Sequence, residues 1–180
     1  GTDAQATASN AVAQGTGASA SGASAIATGV GSVASMEGTV AIGERAVAKG
    51  EDSLAQGTDA QALATNSIAQ GTSAVASGDN SVAVGAEAKA TANNATAMGN
   101  NAHAQSYNSV AVGSGSVANQ INTFSVGSSN NKRRITNVAG GVFDTDAVNV
   151  YQLNLLHERA MAGIAISNAM VTVLPSRGKN

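Results

Sequence analysis

The chain has no cysteine, no tryptophan, one proline, two phenylalanines and two tyrosines among its 180 residues. The absence of cysteine excludes disulfide staples, thiolate metal sites and a cysteine nucleophile. With aromatics at 2%, a core of interlocking large side chains is excluded as well, and alanine is the commonest member of the 43% hydrophobic fraction. Charge is also scarce, at 11% of residues and a net of −2, so no basic field for nucleic acid exists. Histidine occurs twice, which leaves no basis for a Ser-His-Asp arrangement. No run of eighteen apolar residues is long enough to cross a bilayer as a helix. No signal peptide precedes Gly1, and the chain starts in mid-pattern, so it reads as an interior piece of something longer.

What is present is a period. Glycine stands at Gly1, Gly15, Gly29, Gly43, Gly57, Gly71, Gly85, Gly99, Gly113 and Gly127, every fourteen residues without a slip. The intervals are nine copies of one phrase, as in Gly71 to Val84 (GTSAVASGDNSVAV). Fixed-period repetition is the signature of a stacked architecture, stabilised by contacts between neighbouring repeats. Each copy carries two short alternating runs, A-x-A and S-V-A-V, both followed by turn-type residues, which read as two strands and two tight turns. The tenth position is Asn, Asp, Ser or Gly throughout, and the leading glycine can take positive φ where the chain reverses. A helix is excluded, because glycine every fourteen residues with Asn and Ser between costs too much propensity. Each repeat is therefore one coil of a parallel β-solenoid, and nine coils at about 4.8 Å each make a stack roughly 40 Å long.

Volume then decides which way the side chains point. A two-strand coil has a narrow interior, which matches alanine at the fourth position (except Ser32 and Ser116), at all nine sixth positions, and at the thirteenth (except Ser125). Neighbouring residues of a strand face opposite ways. If the thirteenth residue points in, the twelfth must point out, and the twelfth is Val12, Ile26, Val40, Leu54, Ile68, Val82, Thr96, Val110 and Phe124. A long apolar row on the outside marks an interface, so the solenoid is expected to associate along this face. The competing arrangement has the same row inside a monomer.

Along the chain, residues 1–28 are the most polar repeats, and 29–56 carry most of the repeat region's charge at Glu37, Glu44, Arg45, Lys49, Glu51 and Asp52. Those carboxylates read as a charged exposed face, not an acid–base pair. After Gly127 the pattern breaks, with cations at Lys132, Arg133 and Arg134 and acids at Asp144 and Asp146. From about Ala147, Val150, Leu153, Leu156, Ala160, Ile164, Val171 and Leu174 recur at three- to four-residue spacing, which predicts a helix and a coiled coil. Gly163 is a weak point in it, and Pro175 is expected to end it.

These residues carry a resemblance. The S-V-A-V-G and A-x-A repeats, followed by R-I-T-N-V-A-G-G…D-T-D-A-V-N-V-x-Q-L, resemble the head and neck of the trimeric autotransporter adhesins, the YadA-like family. Residues 159–175 also look like the segment where such a stalk enters its membrane anchor. The resemblance implies an all-β left-handed parallel β-roll of 14-residue coils over 1–126, a neck over 127–147, and an α-helical coiled-coil stalk over 148–180, assembled as a homotrimer. On that footing Val12, Ile26, Val40, Leu54, Ile68, Val82, Val110 and Phe124 are candidate trimer-interface residues. Arg133 and Arg134 would pair with Asp144 and Asp146 of a neighbouring chain in the neck. Val150, Leu153, Leu156 and Ile164 would form the coiled-coil core. The implied activity is non-catalytic attachment of a Gram-negative bacterium to host extracellular matrix or cells, at the outer membrane, without cofactor or metal.

Other readings have less to stand on. The three cations could form a patch for a polyanion. His103, at the fifth position of its repeat, is expected to be a solvated side chain, and His157 a core or rim histidine, with an ion-coordinating layer as the alternative. The G-x-G pairs at Gly15/Gly17 and Gly113/Gly115 have no helix after them and cradle no phosphate. A β-solenoid acyltransferase would need a different period and more histidine. An ice-binding face would need an unbroken Thr ladder, and a viral tail-fibre segment would leave the neck motif unexplained. The ligand itself is not legible in the residues.

Overall fold

In a computed structural model of the chain, which describes residues 1–173, the repeats form two parallel nine-stranded sheets. Two-residue strands at the fifth and sixth positions, from Gln5–Ala6 to Val117–Ala118, make one sheet. Strands at the twelfth to fourteenth positions, from Val12–Gln14 to Val110–Val112 and ending with Phe124–Ser125, make the other. Every residue pairs with its equivalent one coil on, as Val12 with Ile26 and Ala13 with Ala27. The ladder is regular because the sequence period and the coil are the same length.

Two β-turns per coil reverse the chain. One is closed by the fourth residue's amide on the first residue's carbonyl (Ala18 N to Gly15 O, 3.3 Å), the other by the eleventh on the eighth (Ala25 N to Gly22 O, 3.1 Å). The third residue of each turn has positive φ, the type II signature. At the tenth position that residue is mostly asparagine, as in Asn80 at φ 54°. At the third position the same conformation is imposed on Arg45 (φ 54°) and Glu87 (φ 58°), where composition gives no warning. The leading glycines from Gly15 to Gly113 sit at φ between 104° and 135°. A Cβ at Gly71 would lie 2.6 Å from the Gly85 carbonyl carbon, so backbones of successive coils touch where any side chain would wedge them apart.

Alanine fills the interior. Those at the fourth, sixth and thirteenth positions are fully buried from Ala18 to Ala111, as expected from the narrow coil. The eleventh position is buried too, which alternation along S-V-A-V implies, and its largest side chains are Thr39, Ser53, Ser67, Ser81 and Ser109. Most buried hydroxyls find a hydrogen-bond partner, and here Ser81 Oγ is the exception among the described residues. Thr39 Oγ1 donates to Met36 O (2.7 Å) and Ser109 Oγ to Ser106 O (2.6 Å), each closing on its own turn. The competing arrangement, with the Val/Ile row inside, is excluded by these burials.

Two compact units result, Gly1–Arg133 and the remainder from Arg134. In the second, helix α1 spans Val150–Val173 without a break at Gly163. A reciprocal capping box starts it: Gln152 N donates to Asn149 Oδ1 (3.1 Å) and Asn149 N to Gln152 Oε1 (3.4 Å). Leu174 and Pro175, expected at its end, lie outside the described residues.

Candidate functional site

The outer face of the longer-stranded sheet carries the row singled out above. Val12, Ile26, Ile68 and Phe124 are exposed, while Val40, Leu54, Val82 and Val110 are half-buried. The fourteenth position doubles the row. Towards the C-terminal end it is apolar at Val84, Met98 and Val112, whereas Gln56 and Gln70 hydrogen-bond to each other there (2.9 Å). The other sheet's outer face differs in kind: its fifth and seventh positions mix Val33, Val47 and Val75 with Lys49, Lys89, Gln105 and Asn119. One face thus carries the aliphatic row and the other a mixture of valines, amides and lysines.

His103 lies on the mixed face, and the structure corrects its expected solvation. The ring is half-buried between the ladder neighbours Lys89 and Val117, and Nε2 is covered without a hydrogen-bond partner. Burial, then the nearby Lys89 ammonium, hold its pKa below the usual histidine value. The second charged feature is a fork: Arg45 donates from Nε and Nη2 to both carboxylate oxygens of Asp59 one coil on (2.6 and 2.7 Å) and also pairs with Glu44. The Arg45 hydrogen bonds hold the Asp59 carboxyl below its ordinary range. Both partners are exposed, so the fork contributes little to stability.

At the end of the last coil the chain turns back on itself. Arg133 Nη1 donates to Val126 O (2.7 Å) and Ser116 Oγ (2.9 Å), and Nη2 donates to Ser114 O. In the earlier coils, carbonyls equivalent to Ser114 and Val126 receive amides of the following turn, as Gly115 N to Asn100 O and Gly113 N to Met98 O, except Val112 O, which accepts from Ser116 Oγ (2.7 Å). One guanidinium therefore stands in for two backbone donors of a coil that is not there. Beside it opens a hollow of about 780 Å³, walled by Phe124, Val126, Val117 and Lys132.

Within the single chain, the neck residues have partners of their own. Among the described residues no ion pair joins Arg134 to Asp144 or Asp146. Arg133 donates to its own solenoid. Asp146 Oδ2 accepts from the amides of Val142 (2.9 Å) and Phe143 (3.0 Å), which lower its pKa. Gln152 clamps the same loop, accepting from Gly141 N (2.8 Å) and donating to Gly141 O (3.0 Å). The N-V-Y-Q spacing of the capping box was the available signal for that clamp; nothing in the sequence pointed to Arg133 as a cap. On α1, Val150, Leu153, Leu156 and Ile164 are all exposed in the single chain.

No metal-binding group of three ligating side chains occurs among the described residues of one chain. No helix among them is long and apolar enough to cross a membrane.

Comparison with known proteins agrees with this layout. Residues 6–32, 34–60, 48–74, 62–88, 76–102, 90–116 and 104–130 match the family described as the YadA head domain repeat. Residues 134–169 match the coiled stalk of trimeric autotransporter adhesins. Among solved structures, the chain is similar to the collagen-binding domain of the Yersinia adhesin YadA at 34% identity and a TM-score of 0.81. That similarity covers 84% of this chain and 85% of the other. No curated protein matches it.

Proposed function

The chain belongs to the YadA-like trimeric autotransporter adhesins, and from that membership we propose that it is the head, neck and a stalk segment of a homotrimer that fastens a bacterium to host extracellular matrix. The family comprises adhesins, not enzymes, carried on the bacterial surface by an outer-membrane anchor. The head occupies 1–126, the neck 127–147 and the stalk runs from 148. Three copies pack through the outer row of the longer-stranded sheet, and α1 joins the three chains through Val150, Leu153 and Ile164. In the neck, Arg134 and Asp144 are the pair free to bridge neighbouring chains.

The observation that supports this reading is the one-sided apolar face: a row of valine, isoleucine and leucine, broken at Thr96 and ended by Phe124, is exposed or half-buried among the described residues. Pairing it with sister copies leaves the mixed faces outward on three sides. Binding is then multivalent, with weak contacts repeated along the coils and around the axis. The similar YadA domain is described as collagen-binding, so fibrillar matrix protein is the first ligand to test. The full chain should bind immobilised collagen saturably, with fibronectin and laminin as parallel surfaces. A trimer that binds none of them would defeat the matrix assignment while leaving the assembly standing.

A further inference from the structure

We propose that His157 of three chains forms a binding site on the stalk axis for a divalent transition-metal ion of the zinc, nickel or copper class. This inference rests on the trimeric reading above. Helix α1 is continuous through this region. Counting from Val150 in alternating steps of three and four gives Leu153, His157, Ala160, Ile164 and Ser167. That places Val150, His157 and Ile164 at one heptad position and Leu153, Ala160 and Ser167 at the other. Repeats of this spacing face the partner helices in a coiled coil. The register through Leu156 would instead place Asn149, already spent as the helix cap, and Gly163 in the seam. Leu156 therefore flanks the seam. The His157 imidazole is exposed and makes no side-chain hydrogen bond or ion pair among the described residues.

Three-fold symmetry supplies the rest. Helices packed about 8–10 Å apart lie roughly 5–6 Å from their common axis, a distance an imidazole spans. Three ring nitrogens can thus meet a shared ion at about 2.0–2.1 Å. Three histidines with one further position is a zinc-type ligand set, and imidazole also suits nickel and copper. The neighbouring layers fit this use. Leu153 closes the N-terminal side with apolar bulk, whereas Ala160 on the C-terminal side leaves room for a water as fourth ligand. Glu158 and Arg159 fall outside the seam positions and do not compete. Each chain supplies a single ligand, so the site is complete only in the trimer.

The test is calorimetric titration of the full chain with zinc chloride and with nickel chloride, with the mass of the same sample read by light scattering. Saturation at one metal per three chains is expected, with affinity falling at least a hundredfold in His157→Ala and in His157→Val. The valine variant keeps an apolar seam and so separates loss of ligand from loss of assembly. His103→Ala should bind as the parent does. A trimer that shows no saturable one-to-three binding overturns the proposal, as does binding that survives both His157 substitutions. A monomeric particle would overturn the assembly reading, and this site with it.

Discussion

Removing the guanidinium at the end of the solenoid should unzip one coil and no more. Arg133 holds Val126 O, Ser116 Oγ and Ser114 O. Hydrogen bonds from a charged donor are worth about 1.5–3 kcal/mol each when the partners are otherwise stranded. Arg133 is exposed, however, and water can reach carbonyls at the end of the stack, so the net loss in Arg133→Ala is about 1–2 kcal/mol. In a repeat protein such a loss stays near the affected coil. Native-state hydrogen exchange reads this directly. The amide of Val117, bonded to Gly127 O (2.8 Å), and that of Val110, bonded to Thr123 O (2.8 Å), should exchange roughly tenfold faster. The amides of Val33 and Val47, many coils away, should not change. Arg133→Lys should not restore protection, because an ammonium cannot reach several acceptors in a fixed fork. Acceleration spread evenly over all nine coils, or none at the last one, would refute the cap.

Three other perturbations probe the coil itself. Ala83, fully buried and stacked between Ala69 and Ala97, has no room for growth, so Ala83→Leu should cost about 2–3 kcal/mol in denaturant unfolding. Glu87 is held at φ 58° on an exposed turn, so Glu87→Gly should stabilise the chain by about 1 kcal/mol in the same assay. Because His103 is held below its ordinary value of 6.5 in the fold, the unfolded chain takes up its proton first as pH falls. Its contribution is therefore whole above pH 6.5 and declines as pH drops through the folded value. NMR titration should show Lys89→Met raising the His103 midpoint and reducing that loss; an unmoved midpoint would remove Lys89 as a cause.

The fold was legible because its information is periodic. Glycine every fourteen residues fixed the coil, and alternation about Ala13, Ala27 and their equivalents fixed the facing of the aliphatic row. The hydroxyls of Ser67 and Ser109 carry no mark of burial in the sequence. They are core residues because each meets a group of its own turn: Ser67 Oγ accepts from Ala64 N, and Ser109 Oγ donates to Ser106 O. The strain at Arg45 and Glu87 was hidden, since tertiary stacking forces left-handed backbone there whatever the side chain. His103 failed for a related reason. Alternation does point it outward, but a parallel ladder places Lys89 and Val117 close on either side, and they cover the ring. Arg133 read as half of an inter-chain charge pair because acidic residues follow it. Within its own chain it also meets carbonyls at an open strand edge, and carbonyls leave no mark in a sequence.

The claim on which the account turns is that the aliphatic row of the longer-stranded sheet is covered by sister chains. Light scattering during gel filtration of the full chain tests it most directly. The account predicts a particle three times the 17.4 kDa of one chain, lost or unfolded in Val82→Asp and kept in Lys89→Ala. A folded wild-type particle of 17.4 kDa would contradict it.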